Sequence, residues 1–351
     1  MLITNVQYIK PSIITAILRA NTILADSEFV SKVSQTALEK TPHYRSYTFA
    51  VQYNDFRTQR HAPDHLQIKL GTKDAKDAKR ELDFYERIAR SMQQRSTAPL
   101  RFPTCYDAYY DDLSQQFHLI LEGVSREYAV AKDSMPPTSR HREQLIDTLA
   151  TLHAYWWEHP LLGDLSSLPT QETLTRHNAA LQNKFTELKE TVGKHLNPKH
   201  IELLAMIASG LPKSSQDRML TGKGLTIIHG NLSPKTILYS LRDTMLINWQ
   251  DWAISFGTDD LAMMIPLYWS KQLRDFQEKP LLKRYYDGLI KANVQDYSWQ
   301  MLNYDYKASL AHIIGKFLLQ WTWNKHSRGH WRMMEIAIEN FILMEGTSIY
   351  I

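Results

Sequence analysis

The stretch that most constrains this chain is Ile227-Ile228-His229-Gly230-Asn231-Leu232-Ser233-Pro234-Lys235-Thr236-Ile237-Leu238, followed by Met245-Leu246-Ile247-Asn248-Trp249-Gln250-Asp251. An apolar run enters a polar loop, and two short β-rich runs follow, with Arg242-Asp243-Thr244 as the turn between them. The pattern predicts a strand-loop-strand-turn-strand unit whose polar side chains gather at one end.

The rest of the chain divides into a strand-rich first third and a helical remainder. Pro11 to Asn21 predicts a short amphipathic helix, with Pro near its start and Ile13, Ile14, Ile17 and Leu18 on one face. Phe29 to Glu39 has no decisive period. Arg45 to Tyr53 and His65 to Leu70 read as strands joined by the long polar connection Asn54 to Asp64. Lys73 to Gln94 predicts a strong helix, with Ala75, Ala78, Leu82, Tyr85 and Ile88 on one face. Leu100 to Tyr110 and Gln116 to Glu122 read as two more strands, and Ser125 to Arg140, with Pro136-Pro137, as a loop. Helices are then predicted over His141 to Glu158, Thr170 to Val192, His200 to Ser209, Asp259 to Lys271, Lys279 to Ala292, Trp299 to Lys325 and Trp331 to Met344. Most of the nine tryptophans fall in this half. Such aromatic stripes read first as core, with some available to line a pocket for an apolar or aromatic small molecule.

Composition narrows the class of function. With 351 residues the chain can bury a large core and hold two domains. A net charge of +4 without a long Lys/Arg block makes no demand for a nucleic-acid partner. No apolar run approaches the length of a membrane span, and the N-terminus lacks a signal-peptide pattern. Cys105 is the only cysteine, so no disulfide forms within the chain, which fits a reducing cytoplasm.

The central stretch resembles the catalytic segment of the aminoglycoside phosphotransferase and choline/ecdysteroid kinase-like family, His-Gly-Asp-Leu-x-x-x-Asn-Ile-Leu followed by Ile-Asp-Trp-Gln. His229, Gly230, Leu232, Ile237, Leu238, Ile247, Trp249 and Gln250 match it. Leu152-His153-Ala154-Tyr155-Trp156-Trp157 is similar to the family's Leu-His-Ala-x-Trp-Trp, with His153 expected behind the catalytic loop as a structural, hydrogen-bonded residue. The resemblance implies an α+β, bilobal protein-kinase-like fold. Its N-lobe, residues 1–122, would hold an antiparallel sheet and one long helix. A larger, mostly helical C-lobe, 123–351, would carry the catalytic stretch 227–252. Lys69 would be the phosphate-contacting lysine, Glu81 its helix partner, and Glu122-Gly123 the hinge.

The resemblance also implies ATP and Mg²⁺, and four departures argue against both. The family's catalytic aspartate falls on Asn231, which can orient a hydroxyl but accepts no proton at neutral pH. Losing a general base removes about 10²–10⁴-fold in rate. The metal-binding asparagine falls on Thr236 and the metal-binding aspartate on Asn248, although Mg²⁺ favours carboxylates. No glycine precedes Gly71, so the usual glycine hairpin is replaced by Lys40-Thr41-Pro42-His43-Tyr44-Arg45-Ser46. There Pro42 removes a donor and His43 and Tyr44 fill space a triphosphate would use.

Compensating roles fall to a few residues. Asp251 is the candidate replacement carboxylate, and Lys69, Arg45 and Lys235 are candidate anion contacts. His229, expected to prop the loop, is a candidate acid or base. Asp259 or Asp260 is expected to cap the helix that follows Gly257. Three functions fit: a kinase-fold protein that has lost phosphoryl transfer and binds a small-molecule ligand in the interlobe cleft or a protein partner, or uses that cleft for different chemistry; a working phosphotransferase for an alcohol or amino alcohol with an atypical metal site; or a plain non-catalytic scaffold whose cleft is collapsed. Neither nucleic acid nor membrane is expected as a partner.

Overall fold

The computed structural model describes all residues except 1, 72–77, 94–99, 125–127, 131–137 and 323–326. The described strands are β1 (Val30–Lys40), β2 (Tyr44–Tyr53), β3 (His65–Gly71), β4 (Cys105–Asp111), β5 (Gln116–Glu122), β6 (Ala129–Val130), β7 (Leu225–Ile228), β8 (Ile237–Tyr239), β9 (Thr244–Leu246) and β10 (Ala253–Phe256). The fold is α+β and protein-kinase-like, with an antiparallel sheet in its N-terminal part and a helical C-terminal part.

Two compact units make up the chain: residues 1–130 with 236–252, and 131–235 with 253–351. This differs from a division at residue 122 with the whole stretch 227–252 in the second part. The chain leaves the second unit at Lys235, and Thr236–Trp252 packs as part of the first. The reason is side-chain packing. Phe84 and Trp249 stack with centroids 3.8 Å apart and planes 7° from parallel. Trp252 Nε1 donates to Arg80 O at 2.6 Å, and β8 pairs with β6.

In the first unit the sheet order is β1-β2-β3-β5-β4, antiparallel throughout. The alternation of β2 buries Tyr47, Phe49, Val51 and Tyr53 with Leu66, Ile68 and Leu70 of β3, and Ile14 and Leu18 of the helix Pro11–Ala20 close the same core. β1 is an edge strand, mostly exposed along its length. That exposure is why Phe29 to Glu39 carries no alternation to read. The helix expected from Lys73 is described from Ala78, and its first residues lie outside the described ones. It passes through a π-helical turn at Phe84–Ala89 before ending at Gln93. Gly123 N donates to His65 O at 2.8 Å. A Cβ at Gly123 would stand 2.5 Å from the His65 Cβ, so the close approach after β5 requires glycine.

The second unit holds the helices Ser139–Trp156, Gln171–Val192, Pro198–Ala208, Lys213–Thr221, Thr258–Tyr268, Lys271–Lys291, Trp299–Gln320 and Ser327–Leu343. β7 pairs with β10 rather than with β8. Lys213–Thr221 was not expected, since KSSQDRMLT lacks an apolar stripe. The helix expected from Lys279 begins at Lys271, with Pro280 inside it. Ser270 caps its start by accepting from Leu273 N, and burial of Leu281 and Leu282 offsets the bond that proline cannot make. Thr258–Tyr268 is buried along almost its whole length.

Candidate functional site

The residues marked by the motif fall into two groups, one in each unit. In the first unit, β3 carries Lys69 and the helix Ala78–Asp83 carries Glu81. Lys69 Nζ donates to both Glu81 carboxylate oxygens at 2.8 Å. Its third donor goes to Asn248 Oδ1 at 2.9 Å. An ammonium has three N–H groups, so every donor of Lys69 has an acceptor from the protein. The side chains of Lys69 and Glu81 are 1% and 2% exposed. The Tyr44 ring lies 5.1 Å from Lys69 Nζ, a cation–π distance. Burial, with the nearby charges of Glu81, Glu39 and Asp251, pushes the Tyr44 phenol well above its ordinary range, so it stays neutral.

Asn248 itself has φ +63°. Asn adopts that left-handed conformation more readily than most residues. It starts the short turn Trp249–Asp251, which buries Trp249 completely and leaves Asp251 exposed. Thr236 is 8% exposed, and its carbonyl accepts from Ile247 N at 3.0 Å. Arg45 does not join Lys69. The pleat of β2 buries Tyr44 and Ser46 and exposes Arg45.

These donors do not suit Mg²⁺. Position 248 supplies a neutral carbonyl already bonded to an ammonium, and position 236 a buried hydroxyl. Among the described residues no three or more His, Cys, Asp or Glu side chains stand where they could hold a metal ion.

In the second unit, β7 delivers the loop. His229 is buried, Asn231 and Lys235 are exposed. His229 Nδ1 accepts from Asn231 N at 3.4 Å. Asp260 is fully buried and accepts from His229 N at 2.7 Å and Gly230 N at 2.9 Å. His153 Nε2 lies 3.3 Å from Asp260 Oδ2, and its Nδ1 2.8 Å from the Tyr285 hydroxyl. Lys316 Nζ donates to Gly230 O at 2.8 Å.

The expected helix cap is therefore corrected. Asp260 holds the loop rather than the helix end, and Asp259 pairs with Ser255 Oγ at 2.5 Å and His312 Nδ1 at 2.9 Å. The helix begins at Thr258, and Gly257 before it supplies no side-chain cap. Sequence reading missed Lys316 as well, because its separation of 86 positions from Gly230 leaves no local signal.

The comparisons with known proteins agree with this architecture. Residues 66–297 match the family model described as ecdysteroid kinase-like. A candidate aminoglycoside phosphotransferase from Ralstonia eutropha JMP134 superposes with a TM-score of 0.59 at 14% identity, over 96% of this chain and 99% of that one. Choline kinase from Cryptosporidium parvum Iowa II gives 0.54 at 15% identity, over 96% and 95%. An ethanolamine kinase from Plasmodium vivax gives 0.54 at 11%, over 94% and 88%. At these identities the likeness is one of fold. No curated protein matches the chain in sequence. Among the described residues, no helix is long and apolar enough to cross a membrane. With its kinase-like fold and a family match spanning well over half its length, the chain belongs to the ecdysteroid kinase-like family.

Proposed function

We propose that this family member has lost conventional Mg²⁺- and ATP-dependent phosphoryl transfer and acts by binding an organic small molecule, in the cytoplasm. The observation that carries this reading is the saturation of Lys69. Its three donors are taken by Glu81 and Asn248, and Tyr44 stacks above it. A phosphate oxygen would have to displace one of these partners from a group that is 1% exposed. Exposed Asn231 offers no general base, and Asn248 no anionic metal ligand. The single cysteine is consistent with a reducing compartment.

One observation favours a second reading, a working phosphotransferase for an alcohol or amino alcohol. The Lys69–Glu81 pair itself is intact, as an active kinase requires. Thermal denaturation with ATP, with and without Mg²⁺, separates the two. The first reading expects no nucleotide-dependent stabilisation. A ligand at 100 times its Kd would add about 2.7 kcal/mol, so a clear Mg²⁺-dependent shift together with turnover of ATP in the presence of an amino alcohol overturns it. The pair of changes Asn231→Asp and Asn248→Asp tests whether lost carboxylates alone account for the defect. Nucleotide binding that stays absent implicates the glycine-free β1–β2 hairpin as well.

A further inference from the structure

The second unit contains a cavity of about 400 Å³ that includes none of the motif residues. That volume lies in the range of sites for drug-sized molecules, about 300–1,000 Å³. Four helices build it. Leu174 and Leu181 come from Gln171–Val192, Ile207 from Pro198–Ala208, Met219 from Lys213–Thr221, and the last wall is Trp299–Gln320. Gly315 on that last helix lets the walls approach closely, since a Cβ there would stand 3.3 Å from Leu181 Cδ2. Among the described residues the lining includes no tryptophan.

The polar groups of the lining differ in what they offer. His312 uses Nδ1 toward Asp259 at 2.9 Å, leaving Nε2 for a ligand. Asn178 contributes an amide, and His177 stands exposed beside it. Gln216 donates one amide N–H to Leu211 O at 2.6 Å. Lys316, four residues beyond His312 on the same helix, lies near enough for its charge to act on that imidazole. Lys316 Nζ is itself bonded to Gly230 O at 2.8 Å, so His312 Nε2 and the Asn178 amide are the donors the lining offers to an anionic head group.

We propose that this cavity binds an amphipathic monocarboxylate, its apolar body among Leu174, Leu181, Ile207 and Met219 and its carboxylate at His312 and Asn178. The site is separate from the Lys69 cluster, and the proposal holds whether or not phosphoryl transfer is lost. Recognition combines burial of an apolar body, which supplies affinity in proportion to the area removed from water, with a charge-assisted hydrogen bond that selects the head group.

Isothermal titration of the full chain with decanoate tests it, without nucleotide or metal present, so that a failure here is distinct from a failure of the reading above. Saturable binding is expected, at least tenfold tighter than that of decan-1-ol. Met219→Trp fills the cavity from a half-buried position and should weaken decanoate at least tenfold while its melting temperature holds. His312→Gln should weaken decanoate and leave decan-1-ol unchanged. If that variant fails to fold, the Met219→Trp and decan-1-ol measurements decide by themselves. No saturable binding of decanoate, equal affinity in Met219→Trp, or decan-1-ol binding as tightly as decanoate would each overturn the proposal.

Discussion

Asn248 Oδ1 accepts the third N–H of Lys69 at 2.9 Å, across 179 residues of sequence. The bond is local to the first unit and completes the shell around a buried cation. Replacing Asn248 by Leu leaves one ammonium donor unpaired, a cost of about 1–3 kcal/mol. Asn248→Val costs more, because a β-branched residue must also adopt φ +63°. Asn248→Asp keeps an acceptor and should hold stability near wild type. Urea denaturation of the three variants checks the order. Equal stability of Leu and wild type would mean that Lys69 does not depend on Asn248.

Glu81 is the stronger partner of the same lysine. Truncating one member of a buried ion pair typically costs about 3–5 kcal/mol, because the other charge is stranded. Glu81→Leu is thus expected to destabilise strongly. Adding Lys69→Met should recover most of the loss, since a buried pair replaced by apolar residues of similar volume is often neutral. A double-mutant cycle by chemical denaturation measures the coupling. Additive losses would show that the pair carries no interaction energy. The double variant also bears on function: a chain that needs no phosphate-contacting lysine retains its ligand binding without it.

The Lys69–Glu81 pair and the crowding by Tyr44 were readable from the sequence, and the partner of Asp260 was not. A strand lysine twelve residues before a helix glutamate, upstream of a recognisable loop, constrains both residues at once. The missing glycines before β3 likewise mark a position where a side chain must fill the space. Asp260, in contrast, stands two residues after a helix start, and local free N–H groups explain an aspartate there as well as the loop 30 residues earlier does. The allegiance of Thr236–Trp252 was hidden for a related reason. Strand periodicity predicts β8 and β9 but does not choose their neighbour, and the choice is made by Trp249 and Trp252, whose apolar character fits any core. Lys213–Thr221 escaped because its helix is held by tertiary contacts such as Arg218 with Asp305, 2.5 Å apart, rather than by an apolar stripe.

Trp249 gives that allegiance a measurable weight. It is fully buried, stacked on Phe84 and edge-on to Phe102 at 5.8 Å. Its indole Nε1 donates to Leu246 O at 3.0 Å. Trp249→Ala removes the ring and leaves a cavity, at a cost of about 3–5 kcal/mol, and frees the Leu246 carbonyl. Trp249→Phe retains the stack and should lose less. Hydrogen exchange locates the effect. Faster exchange is expected in Ala78–Asp83 and in β8 and β9, with helices of the second unit such as Gln171–Val192 unaffected. Uniform acceleration throughout both units would contradict a packing role confined to the first.

The His312–Asp259 pair makes the stability of the second unit depend on pH in a direction that can be worked out. Burial disfavours both charged forms, but attraction and a 2.9 Å hydrogen bond outweigh it. His312 is raised above its ordinary 6.5 and Asp259 is lowered below its ordinary 3.8. A raised histidine contributes stability that is complete below 6.5 and is lost as pH rises through its folded value. A lowered carboxyl contributes stability that is complete above 3.8 and is lost as pH falls through its folded value. Both contributions are therefore complete only between 3.8 and 6.5. His312→Gln keeps a donor toward Asp259 without the charge. The melting-temperature difference between wild type and this variant is expected to be largest inside that window and to shrink on either side, and taking the difference removes groups that titrate alike in both proteins. Lys316 opposes the histidine's charge, so Lys316→Gln should carry the alkaline limb to higher pH. A difference that stays constant from about pH 4 to about pH 9 would mean that neither group changes its proton affinity on folding.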